Sequence, residues 1–595
     1  MHFPNTLKKL LSYTVWALLD GFILASAIAL IYAAKTDSVI FVIQSAPEIK
    51  LSLLLISMAV LSAAFLALFF FKGRVMRWIT PLCITVFAVG INLAALTFKL
   101  PYFSLVMSGI AVAAVLMIKD IFPDADIKLL NGKRLYIIVM ALTVMMTAQV
   151  AFTAIARNLC YSSSTFDLGI FAQMYEYMSD DFTLNTTLER NVLMSHFAVH
   201  FSPIYYLLLP FYLIFPSVEF LLTAQAAVCF SGIIPLLLLC RRWRYSETVT
   251  FGLSLVFLLF PAFSGALLYD FHENAFLVPL LLWVLYFLEK NNPIGIVLCS
   301  LLVLCVKEDA GLYIIFTGLY AVFDKRFPRS SSVLLLIMGV SGFVGVTSLV
   351  ETIGEGIKVS RYDNFLTNGQ DSLTDVIINV IKNPAFFFSS LLSEEKLLFL
   401  VQMMFPLMFL PIRTRKLSDW LLMAPLVIVN LASDYAYQAD ICYQYVFGTG
   451  VLLVFLCAKN IRYCKEKTKT VTAAVIAGAI ILTGSMSGKY EFINNFWKHK
   501  TEITLTSQSL AQIPDDAVVF STTYFTPHLS RCKELYMYPA FYEADSDIEP
   551  DYVVLDSRKG LLEEYEELYT YWLGKGYRVV GYEGYATVLA VDGKQ

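Results

Sequence analysis

Apolar runs of 15 to 24 residues recur along most of the chain, separated by short polar turns. So many unbroken stretches exceed what an aqueous fold buries, and in lipid a helix satisfies its own backbone groups. The pattern predicts a polytopic α-helical membrane protein of about 15 spans. They fall near 10–32, 51–71, 78–98, 102–118, 135–156, 218–240, 247–264, 274–289, 292–306, 310–323, 332–350, 397–411, 418–432, 441–458 and 470–486. Basic turns set the orientation. Lys8 and Lys9, the 72–77 segment and 119–134 with Lys133 and Arg134 place the amino terminus in the cytoplasm. The first run, behind Lys8 and Lys9, reads as a retained span rather than a cleaved signal.

The 201–215 run is the exception. It is only 15 residues long and is broken by Pro203 and Pro210. If it crossed, Arg241, Arg242 and Arg244 would face outward, against the positive-inside rule. It is therefore read as lying along the outer interface. The turns at 289–290, 324–329, 413–416 and 459–469 then face inward, and nearly all are basic. Segments 265–273, 307–309, 351–396 and 433–440 face outward.

After 486 the pattern changes. Short β-type runs at 517–521, 552–555, 577–581 and 587–591 surround a helical stretch at 560–574. Three parts follow: a four-span extension (1–134), a transmembrane module (135–486) with an outer loop at 157–217, and a small extracytoplasmic α/β domain (487–595).

Composition agrees with a membrane class. Hydrophobic residues make up 58% of the chain and charged residues 15%, against about 25% charged in soluble domains. The net charge of −3 says little about partners, and no basic stripe points to a nucleic-acid partner. Ten cysteines show no CxxC pair or metal-ligand spacing, and most lie in apolar runs as small hydrophobes.

Ionisable groups at a bilayer boundary are costly and mark working sites. Four clusters gather on the predicted outer side: Asp167, His196 with His200, Asp270-Phe271-His272-Glu273, and Lys307-Glu308-Asp309. Asp167 is placed either to accept a proton or to cap the apolar stretch that follows it. His196 and His200, four apart, would share a helix face, to bind a metal, a phosphate or backbone carbonyls. Either carboxylate of the third cluster could orient His272. The fourth interrupts a long apolar stretch, as a cavity-facing segment or a solvated turn. Arg157, Lys358 and Arg361 are outward cations for an anionic headgroup, and Gln438, Asp440, Tyr443, Gln444 and Tyr445 could line the same cavity.

Four segments in order, Phe166-Asp167-Leu168-Gly169-Ile170-Phe171, His200-Phe201-Ser202-Pro203, Asp270-Phe271-His272 and Lys307-Glu308-Asp309-Ala310-Gly311, resemble a bacterial membrane-protein family of unknown function, DUF2079. That family in turn resembles the GT-C glycosyltransferase superfamily. The resemblance covers about 140–590 and includes Ile513-Pro514-Asp515-Asp516, Pro527-His528-Leu529-Ser530 and Asp551-Tyr552-Val553-Val554-Leu555-Asp556. It departs at Glu273-Asn274, where the family pattern has a proline and then a carboxylate, so it assigns Glu273 no role. It also leaves the first four spans without a function.

The resemblance implies an enzyme of the bacterial plasma membrane that transfers sugar from a polyprenyl-phosphate donor at the outer face, with inversion. Asp167, in the first large outer loop after the 135–156 span, would be the general base. His196, His200, Asp270, His272, Lys307, Glu308 and Asp309 would bind the donor phosphate or sugar, with Glu308 and Asp309 orienting Lys307. Partners are the lipid-linked donor, membrane lipid and an acceptor that the sequence does not identify. No cofactor is certain, and a divalent metal stays open. A transporter or lipid flippase is the alternative reading, and an inactive envelope scaffold the third.

Overall fold

The computed structural model describes residues 5–34, 49–71, 76–94, 101–117, 132–354, 359–541 and 548–591. Of the expected basic segments 72–77 and 119–134, residues 72–75 and 119–131 lie outside the described residues, as does Lys358.

Among the described residues, eight helices are long and apolar enough to cross a membrane. They are Leu10–Ala33, Leu51–Phe71, Lys133–Leu159, Val218–Arg242, Glu247–Leu267, Arg329–Ile353, Gln444–Tyr463 and Lys467–Lys498. Several other expected spans are shorter, including Pro293–Leu304, Ala310–Phe323 and Leu417–Leu431. Proline is one physical reason. The Glu394–Met404 helix stops before Pro406, and 3₁₀ turns at Phe405–Leu407 and Leu410–Ile412 take over. The 201–215 run is likewise no regular helix. Pro203–Leu207 is 3₁₀ and Leu209–Tyr212 a single turn, neither long enough to cross.

Phe447–Asn460 forms the axis of the main bundle and is buried along its whole length. The N-terminal helices pack against the long helix Lys467–Lys498 through a polar seam. Asn92 Nδ2 donates to Ile480 O and Thr483 Oγ1, both at 3.0 Å, and Ser104 Oγ donates to Asn92 Oδ1 at 2.7 Å. Such hydrogen bonds hold helices together where lipid offers no hydrophobic drive. Gly484 permits the approach, since a Cβ there would lie 1.7 Å from Ser104 Oγ.

Ala310–Phe323 spans about 21 Å and carries charge at both ends. Beyond its carboxyl end, Asp324 pairs with Arg326 at 2.8 Å and Lys416 at 2.7 Å, while Lys459 pairs with Asp419 and meets Tyr320. The expected inward-facing turn at 324–329 thus anchors a buried ion network. The opposite end carries the candidate site.

Lys467–Lys498 continues past 486 into the C-terminal domain, where Lys500–Leu510 follows. Two short strands, β1 (Asn185–Thr186) and β2 (Met194–Ser195), pair within the 157–217 segment. The domain sheet contains β3 (Val518–Ser521), β4 (Glu534–Met537), β5 (Tyr552–Asp556), β6 (Tyr577–Glu583) and β7 (Ala586–Val591), in the order β4-β3-β5-β7-β6. β3 runs parallel to β4 and β5, and the β5–β7 and β7–β6 pairs are antiparallel. β4 has no counterpart among the β-type runs expected from the sequence. β5 is wholly buried, as its unbroken Tyr-Val-Val-Leu run requires of a central strand.

Candidate active site

The Lys133–Leu159 helix ends with Arg157 in its last turn, and the chain then kinks. Thr165–Gly169 is a π-type turn in which Asp167 has φ 75° and ψ −79°. This region is sparsely populated by residues other than glycine and costs about 1–3 kcal/mol. Asp167 is therefore no helix cap: Gly169 occupies the N-cap of Ile170–Asp181. The C-terminal domain clamps the kink. Thr165 N donates to Thr523 Oγ1 at 3.0 Å, and the Thr165 and Thr526 hydroxyls lie 2.9 Å apart. Gln173 fastens the same segment, accepting from Thr186 and Thr187 and donating to Cys532 O at 3.0 Å.

Asp167 Oδ1 lies 3.1 Å from His272 Nε2. His272 is fixed by its backbone N–H, which donates to Gln225 Oε1 at 2.5 Å, and by the Tyr269 ring stacked at 5.9 Å. Burial opposes charge on both groups, but each favours the other's ion. Asp167 is held below the usual carboxylate range by His272, with a hydrogen bond from Tyr269 and the Lys307 charge assisting. His272 is pushed above the usual histidine range by Asp167. The ion pair consequently persists from below the ordinary carboxylate range to above the ordinary histidine range.

Asp270 turns away from this pair. It is buried and bound to Arg157 Nη1 at 2.8 Å, while Arg157 also donates to Tyr269 O. Arg157 neutralises an internal carboxylate rather than facing outward to a headgroup. Lys307 Nζ lies 2.9 Å from Glu273 Oε1, and Tyr205 donates to Glu273 Oε2. The residue oriented toward Lys307 is thus Glu273, to which the resemblance gave no role. Glu308 instead meets His200 Nδ1 at 2.9 Å, and Asp309 precedes the Ala310–Phe323 helix with its Oδ1 buried and unpartnered.

His196 and His200 do not share a regular helix. His196 opens a 3₁₀ turn, and the two rings lie 5.7 Å apart, edge to face. Burial, and then the neighbouring His200, lower His196 to about 3, which favours the neutral ring. Both its ring nitrogens are buried without a partner. Among the described residues, no group of three or more His, Cys, Asp or Glu side chains is arranged to hold a metal ion.

Two cavities meet here. A polar one of about 450 Å³ is lined by Asp167, His196, His272, Lys307, Tyr443 and Gln444, among others. An apolar one of about 480 Å³ is lined by Leu312, Phe343, Val376, Val380 and Phe387, with Glu308, Asp309 and Gln438 at its polar end. His200 and Arg361 line both. Arg361 lies over the Tyr435 and Tyr445 rings at 5.4 and 5.0 Å and forms no ion pair among the described residues. Asp440 instead caps its own turn, accepting from Cys442 N at 2.8 Å. The arrangement offers an ionised carboxylate beside an open polar space, a cation without a carboxylate partner at the junction, and an apolar chamber behind it.

Residues 157–574 match the family described as "Predicted membrane protein (DUF2079)". No curated protein matches the chain. Among solved structures, ArnT from Cupriavidus metallidurans in the apo state is similar over 76% of this chain and 98% of that one. The identity is 11% and the TM-score 0.43, a likeness too low to carry an inference.

Proposed function

This chain belongs to the DUF2079 family of predicted membrane proteins, and from its site we propose a glycosyltransferase that uses a polyprenyl-phosphate sugar at the outer membrane face. One observation carries the reading: an apolar and a polar cavity joined at His200 and Arg361, with Asp167 in the polar one. An amphiphile with an anionic junction between tail and head matches that sequence of environments. The tail enters the apolar cavity, the phosphate lies at Arg361, and the sugar occupies the polar cavity.

The chemistry is a displacement at the anomeric carbon. The acceptor hydroxyl oxygen bonds to that carbon, the bond to the phosphate oxygen breaks, and polyprenyl phosphate leaves. Asp167 takes the hydroxyl proton. Arg361, Lys307 and the His272 imidazolium meet the charge that develops on the leaving oxygen. His200, held by Glu308, donates a hydrogen bond, and neutral His196 faces the sugar.

Two results are expected. Arg361→Ala lowers polyprenyl-phosphate affinity about 10- to 100-fold, the worth of a charge-assisted hydrogen bond, read by native mass spectrometry. The second concerns pH. The phosphate contact of His272 is present at low pH and lost as pH rises through its raised pKa. Asp167→Asn removes the raising partner and leaves burial, so the alkaline edge of lipid binding should move to lower pH. An edge that does not move would separate His272 from the phosphate.

The direct test of function is release of polyprenyl phosphate from a lipid-linked sugar by the purified protein in nanodiscs, with a hydroxylated acceptor present. Uptake of a soluble solute into vesicles free of lipid-linked sugar, with no such release, would favour a transporter.

A further inference from the structure

The C-terminal domain has a second cavity whose position suggests a use. It lies at the carboxyl ends of β4, β3 and β5, measures about 280 Å³, and is lined by Phe166, Thr522, Tyr524, Tyr538, Asp556 and Leu562, among others. The chain leaves β3 for β4 on one side, and the next parallel strand, β5, pairs on the other. Loops that depart in opposite directions leave a crevice, where open α/β sheets bind ligands.

Two features of the lining point to a ligand. The Thr522 side chain is 4% exposed and its hydroxyl has no partner. A buried hydroxyl without a partner carries a desolvation cost that a hydrogen-bonding ligand repays. Asp556 is 2% exposed and gripped by Arg558, with Nε to Oδ1 at 2.9 Å and Nη2 to Oδ2 at 2.5 Å. Its charge is balanced while its oxygens are held in place. The crevice thus offers a hydroxyl, a fixed carboxylate and aromatic rings, with no surplus positive charge for an anion. That chemistry suits a neutral polyol with an apolar ring face, which describes a sugar.

Phe166 links this crevice to the candidate active site. It lines both cavities, precedes Asp167 in the chain, and meets Phe541 edge-on at 5.8 Å. Thr523, also in the crevice lining, accepts the hydrogen bond that clamps the Asp167 kink. We infer that the crevice is a carbohydrate-binding site that presents the acceptor hydroxyl past Phe166 to Asp167. The inference rests on the glycosyltransferase reading for its acceptor role. It gives the C-terminal domain a part in the reaction: one sugar ring is held in the crevice while its neighbour reaches the carboxylate.

Saturation-transfer NMR on the full-length protein in micelles, with methyl hexopyranosides and chitobiose as probes, tests this. At least one glycoside should receive saturation from the wild type. Thr522→Val and Asp556→Asn should each weaken it about 10-fold, the worth of one lost hydrogen bond. Both crevice variants should retain polyprenyl phosphate as the wild type does. Thr522→Val keeps the side-chain shape, so its loss of binding is not a folding failure. No signal with wild type, or equal signals in wild type and both crevice variants, overturns the proposal. Crevice-dependent glycoside binding by a protein that retains no polyprenyl phosphate overturns the acceptor role alone, because the reading beneath it has failed.

Discussion

Asp167→Asn is expected to lower sugar transfer by about 10²- to 10⁴-fold, the usual contribution of a positioned general base, while leaving the fold in place, and lipid binding too below its shifted alkaline edge. Asparagine suits the test because it matches aspartate in size and shape and adds no new steric strain at the bend. The kink and its clamp to Thr523 should survive, so the loss reports the missing charge. The measurement is the initial rate of polyprenyl-phosphate release, taken beside a thermal melt. A variant that keeps wild-type turnover would remove Asp167 from the chemistry.

Glu273→Gln should have the largest effect on stability. It leaves Lys307 charged and buried without the carboxylate 2.9 Å away, and disturbs the hydrogen bond from Tyr205. Breaking a buried pair on one side costs about 3–5 kcal/mol, because the remaining charge is uncompensated. The double variant Glu273→Gln with Lys307→Met should recover much of that stability, yet lose affinity for the lipid phosphate. Denaturation midpoints of the wild type, both single variants and the double variant separate these terms. A Glu273→Gln protein as stable as the wild type would mean that Lys307 draws its support from elsewhere.

The helical class and most strands of the C-terminal domain were legible because hydrophobic runs and alternation are local signals. Span lengths were less so. Pro406 and Pro411, and the 3₁₀ start at Glu273–Phe276, shorten helices inside runs that hydropathy alone reads as continuous. Within the site, Asp167, His200, His272 and Lys307 stood out as polar residues between apolar runs, and the fold brings them around one cavity. Their pairings were not legible. Glu273 finds Lys307 across two helices, and the bend that aims Asp167 is secured by Thr523, 358 residues beyond Thr165. Motif spacing carries no trace of contacts set by tertiary packing. Asp270 and Arg157 show the converse, since two residues read as separate outward groups pair with each other at 2.8 Å.

Retention of polyprenyl phosphate in native mass spectrometry shows whether the joined cavities hold a lipid phosphate. The decisive comparison is among wild type, Arg361→Ala and Val376→Trp, the last filling the apolar cavity. Wild type should retain the lipid at neutral pH and Asp167→Asn should retain it below the shifted alkaline edge, with sharply reduced retention by the other two at either pH. Equal retention by all four proteins, or none by wild type, would contradict a lipid phosphate there.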